Sequence, residues 1–100
     1  MRPSSDASLS LLVYGHKIDN EPFQEETDVR LVGMHTAELS LAAKVEPGQK
    51  LLLLDPTSDE EQRCRVVSVN EQPGAKSIVG VRFRQSMWEF WTVAKLSRRQ

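Results

Sequence analysis

The side chains with chemistry to offer are few: His16, His35, Cys64, Asp28, the pair Glu25-Glu26, and arginines set two apart at Arg63/Arg65 and Arg82/Arg84. A metal site needs several His, Cys or carboxylate ligands converging on one point. Neither histidine has a cysteine or carboxylate at such a spacing, so both are expected on the surface. Cys64 falls mid-strand with no histidine near it in sequence to draw off its proton. It reads as a small buried hydrophobe. His35 could meet Asp28 across a hairpin, but no serine nucleophile motif accompanies them. The five glycines are scattered one per turn or strand, so no phosphate-cradling loop is present. Glu25-Glu26 reads as an acidic strand edge that discourages stray pairing. Catalysis is not expected.

One hundred residues make a single domain able to bury somewhat over ~60% of its unfolded surface. The net charge of −1 gives no broad attraction for nucleic acid or anionic lipid, and exposed aromatics for base stacking are scarce. Binding of a nucleic acid polymer is therefore not expected. The basic cluster Lys95, Arg98 and Arg99 reads as a solvated tail. A single cysteine cannot form an internal disulfide and fits a reducing compartment. No apolar run approaches the ~18 residues of a membrane span. Met1 to Asp6 also lack a signal peptide's apolar stretch. The expectation is a cytoplasmic chain without membrane insertion.

The elements that must position these residues are short strands. Residues 1–7 are polar and expected to be disordered, 8–96 form the domain, and 97–100 are the basic tail. Ser8–Tyr14 reads as the first strand and Gly15–Glu21 as a loop. Phe23–Thr27 is a short acidic piece with Phe23 plugging the core edge. Asp28–Val32 and Ala37–Leu41 flank the hexapeptide Leu31-Val32-Gly33-Met34-His35-Thr36 as a hairpin. Glu46-Pro47-Gly48-Gln49 carries the Pro-Gly pair of a type II turn. Lys50–Leu54 is a continuous apolar run, expected to be covered on both faces. Asp55–Glu60 is a polar loop, Gln62–Asn70 a long strand and Gln72–Ala75 a turn. Ser77–Arg84 alternates strictly, with Val79, Val81 and Phe83 inward. Six short strands on tight turns point to a barrel or sandwich. The period then changes: Ser86 and Glu89 make a capping box, and Met87, Phe90, Trp91 and Ala94 share one face of a short helix. Trp88 lies off that stripe, where it would serve as a rim contact or a partner anchor.

Several stretches recur in a familiar order: Gly15, Asp19 to Thr27, Ala37-Glu38-Leu39, Val45 to Leu51, Cys64 to Val69, Val79 to Phe83 and Phe90-Trp91. Over about residues 8–92 this order resembles a branch of the PilZ family, the bacterial cyclic di-GMP receptor module. That branch has a V-G-Q turn, an R-V-V-x-V strand, a V-G-V-x-F strand and a terminal F-W. The resemblance implies a six-stranded antiparallel β-barrel with a short C-terminal α-helix.

It also implies where a nucleotide would sit. In receptors of the family an R-x-x-x-R segment before the first strand grips phosphates and guanine, since guanidinium offers a planar donor fork. A D/N-x-S-x-x-G turn completes the site. Here only Arg2 precedes the first strand, and the second arginine position holds Asp6. In the turn Leu31 replaces Asp or Asn, Gly33 replaces Ser, and Thr36 replaces Gly. Thr36 disfavours the left-handed φ that glycine supplies, and Gly33 is the residue able to take it three positions earlier. Losing two or three charged hydrogen bonds at roughly 1.5–3 kcal/mol each removes ~3–9 kcal/mol of binding. The expectation is a non-catalytic regulatory or adaptor domain with no cofactor, cyclic di-GMP included. It would meet a protein partner through Met34, His35 or Trp88, and a homodimer stays open. The alternative is a receptor with a rearranged site using Arg2, Arg30 or the outward Arg63, Arg65, Arg82 and Arg84.

Overall fold

The computed structural model of the chain describes residues 8–84. Its strands are β1 (Ser8–His16), β2 (Pro22–Leu31), β3 (Thr36–Leu41), β4 (Lys50–Asp55), β5 (Glu60–Asn70) and β6 (Ser77–Arg82). They close into an antiparallel barrel in the order β1-β2-β3-β6-β5-β4. The closing seam is the shortest contact of β1, pairing Leu12 with Leu54, Val13 with Leu53 and Tyr14 with Leu52. The expected C-terminal helix, Arg2, Trp88 and the proposed C-terminal end of the domain at residue 96 lie outside the described residues. Among the described residues no helix is long and apolar enough to cross a membrane.

Period two explains the core. Leu9, Leu11 and Val13 on β1 point inward. So do Ala37, Leu39 and Leu41 on β3, Leu51 and Leu53 on β4, and Cys64 and Val66 on β5. Val79 and Val81 on β6 and Phe83 just after it join them. Each large apolar side chain so buried contributes about 1.5–3 kcal/mol. Gly15 is an inward position without a side chain. A Cβ there would lie 2.5 Å from Leu51 Cδ2 and 3.2 Å from Phe23 Cε1, so its hydrogen lets those two groups close the barrel mouth. Phe23 is partly buried against the core, as its edge-plug role requires. The Pro47-Gly48 turn forms as expected: Gly48 has φ 98°, and Gln49 N donates to Glu46 O at 3.3 Å.

Several boundaries and surfaces differ from the sequence reading, among them the start of β5, which lies at Glu60 and not at Gln62. β1 runs two residues further, through Gly15 and His16, because its partner Pro22–Arg30 continues the ladder. Phe23–Thr27 and Asp28–Leu31 are one ten-residue strand. Asp55 belongs to β4 and is fully buried. Its carboxylate accepts from Thr57 N (3.2 Å) and Ser58 Oγ (2.9 Å), tying the turn that an apolar side chain could not. Leu52 and Leu54 are half-buried, because the outer face of β4 is not covered as its inner face is.

Glu25 also departs from its edge role. The β2–β3 ladder stops at Val29–Leu39, and the two strands splay beyond it. Glu25 turns inward, and its carboxylate accepts from Ala42 N at 2.8 Å and Ala43 N at 3.2 Å. Lys76 Nζ stands 3.4 Å away. The carboxylate thus holds together strands that backbone bonds no longer join.

Candidate functional site

The β2–β3 turn is built by two strands that bring Arg30 opposite Glu38 and Leu31 opposite Ala37. Arg30 Nη2 donates to Glu38 Oε1 at 2.6 Å, so its guanidinium is engaged on the sheet surface. Leu31 packs partly buried against the core. The turn closes on itself, Val32 N and Gly33 N both donating to Thr36 O at 3.1 and 3.2 Å. Phe83 N donates to His35 O at 2.8 Å, which anchors the turn to the end of β6.

Gly33 does not take the left-handed φ; among the described glycines only Gly48 and Gly74 do. Its value is space, since a Cβ would meet Thr36 Oγ1 at 2.7 Å. The tip presents Val32 and Met34, 50% and 67% exposed, beside an exposed His35. Two of its amides are occupied and its outermost side chains are apolar, so it offers a small hydrophobic knob and little to read a phosphate or a guanine edge. Leu31, Gly33, Met34, His35 and Thr36 are thus brought together in one turn, while Arg2 and Trp88 lie outside the described residues.

The remaining candidates separate. His16 is exposed, with its carbonyl accepting from Gln49 Nε2 at 2.8 Å. Cys64 is buried, and that burial pushes its thiol up to about 12, so it is not a nucleophile near neutral pH. Among the described residues no group of three or more His, Cys, Asp or Glu could hold a metal. An open depression of about 760 Å³ lies against Ala42, Lys44 and the Glu71–Ser77 loop, at the barrel end opposite the β2–β3 turn.

Sequence reasoning missed how the arginines assemble. Register places Arg65 opposite Arg82 and Lys50 opposite Arg65. All three are exposed, as are Arg63 and Arg84. The alternation of Arg63 with Cys64 and of Arg82 with Phe83 signalled an outward face. The Gln72–Ala75 turn makes β5 and β6 hairpin neighbours, but nothing in the sequence sets those residues level. Comparison with known protein families, with curated proteins and with solved structures yields no match to this chain.

Proposed function

We propose that this chain is a PilZ-like, non-catalytic regulatory domain that has lost cyclic di-GMP binding and works as an adaptor through protein–protein contacts. The closed six-stranded barrel and the order of the motifs along it support the kinship. The observation that carries the functional reading is the β2–β3 turn. A receptor would place an acid or amide, a hydroxyl and a glycine there to receive guanine and phosphate. This turn offers Leu31, Gly33 and Thr36 in those places, with Val32 and Met34 outermost. Exposed apolar groups on a short anchored turn suit a protein partner, because their desolvation on contact is favourable. His35 would extend that contact, and Trp88 is the other anchor proposed.

Calorimetric titration of the full chain with cyclic di-GMP tests this. Loss of ~3–9 kcal/mol takes a micromolar receptor to a Kd weaker than ~100 μM, so no saturable heat is expected in the micromolar range. Saturation there would establish the alternative, a receptor with a rearranged site using Arg2, Arg30 or the outward Arg63, Arg65, Arg82 and Arg84. For the adaptor itself, partner capture by the intact chain should fall with Met34→Ala or Trp88→Ala. An unchanged prey list with both would remove the anchor role.

A further inference from the structure

We propose that Arg63, Arg65, Arg82 and Arg84, flanked by Lys50, form a docking face for an extended acidic peptide whose carboxylates recur at every second residue. The proposal rests on the adaptor reading and names the chemistry of its partner. Arg65 and Arg82 are directly paired across β5 and β6, and Lys50 is paired with Arg65 on the other side. Arg63 precedes Arg65 by two residues on β5, and Arg84 follows Arg82 by two, just past the end of β6. All five side chains are exposed.

Among the described residues the ion pairs are Arg30–Glu38 and Lys76–Glu25, and neither involves this block. Like charges directly opposite on a sheet repel and weaken it. On a chain of net charge −1, such a concentration is not a by-product of general basicity. An acidic ligand would relieve that repulsion.

Geometry selects the ligand. Cross-strand arginines stand ~5 Å apart, close enough for two guanidinium forks to converge on one carboxylate. Along β5, Arg63 and Arg65 are separated by two strand residues, ~6.8 Å. In an extended peptide, side chains on one face have that same separation. A peptide lying along β5 would therefore seat one carboxylate at Arg65/Arg82 and the next at Arg63, with Arg84 nearby in sequence to Arg82. The barrel is closed, so the peptide is held by side chains and not by adding a strand. A single-stranded nucleic acid would need aromatic platforms for its bases. Among the described residues, cross-strand neighbours of the block include Leu52, opposite Arg63, and Thr36, opposite Arg82, neither of them aromatic.

The test is fluorescence anisotropy on the full chain with a labelled alternating Ser-Glu peptide of about ten residues. Comparators are the same composition with its Glu in one block, the Ser-Gln analogue, an oligothymidylate of similar length and cyclic di-GMP. The alternating peptide should bind tightest, and weaken as salt rises. The double variant Arg65→Ala/Arg82→Ala should lose about tenfold or more. Arg30→Ala should bind as the wild type does. Thermal melts confirm folding of the variants, and the charge-reversal Arg82→Glu gives a second loss of binding. Equal binding of the Ser-Gln peptide, indifference to the double variant, or tighter binding of oligothymidylate overturns the proposal. Failure of every probe overturns it while leaving the adaptor reading in place. Saturation by cyclic di-GMP overturns both.

Discussion

Replacing Glu25 by alanine should cost more than any other substitution of a charged residue on β2. The carboxylate is the acceptor for two backbone amides, Ala42 N at 2.8 Å and Ala43 N at 3.2 Å, at the point where β2 and β3 part. Charged hydrogen bonds contribute roughly 1.5–3 kcal/mol each. Ala42 is exposed, so water recovers most of its share. Ala43 is half-buried and does not recover as readily. Lys76 is half exposed, and its ion pair adds ~1 kcal/mol at most. The sum for Glu25→Ala is about 2–3 kcal/mol, which in a domain of this size lowers Tm by roughly 10–20 °C.

Glu25→Gln keeps one carbonyl acceptor and turns an NH2 toward the other amide, so it should lose about half as much. Glu26→Ala is the control. Its side chain faces out and accepts from Ser10 Oγ at 2.9 Å, a surface contact worth ~0.5 kcal/mol or less. Urea unfolding followed by circular dichroism measures all three, and amide exchange at Ala43 reports the bracket directly. If Glu25→Ala proved as mild as Glu26→Ala, the bracket would not be holding the splayed strands.

Two further outcomes follow from burial. Cys64 has its thiol raised to about 12 from an ordinary value near 9, so the unfolded chain ionises first as pH climbs. The stabilisation is full below about pH 9 and is lost between there and 12, at ~1.4 kcal/mol per pH unit. The stability difference between wild type and Cys64→Ala should shrink over that window, and a flat difference would remove the buried-thiol account. Gly15→Ala should cost ~1–3 kcal/mol, because its Cβ enters the space of Leu51 and Phe23 and overpacks the mouth. Adding Leu51→Val should recover part of that loss, and strict additivity in the double-mutant cycle would contradict the clash.

Elements whose inward positions are all apolar were legible in the sequence. Val79, Val81 and Phe83 alternate without interruption, and each is 2% exposed or less. The Pro47-Gly48 turn was legible because only glycine takes its φ of 98° without strain. β2 was not read as one strand, because Glu25 and Thr27 occupy inward positions where hydrophobes are expected, so the pattern breaks in its middle. Asp55 was misplaced for the same reason: a carboxylate at a strand end reads as a loop until its two hydrogen bonds are known. The β2–β3 turn was legible as a hairpin connection, and it closes with Val32 N and Gly33 N both donating to Thr36 O.

The arginine block could not be read, because it depends on a change of register inside β5. Val69 pairs with Val79 and Ser68 with Gly80, whereas Val66 pairs with Val81 and Arg65 with Arg82. The step between Val66 and Ser68 inserts Val67, 48% exposed, as a bulge. Val66 and Val69 are three residues apart and still both face the core, which alternation alone forbids. Without the extra residue the upper register would set Val66 against Arg82 and Arg65 against Phe83, turning a core valine outward and an arginine inward. One bulged valine therefore settles two things at once. It keeps the apolar face of β5 continuous, and it brings Arg65 level with Arg82 on the opposite face. The packing that fixes the barrel also fixes the outward arginine pair, so that pair can stay level under its own repulsion.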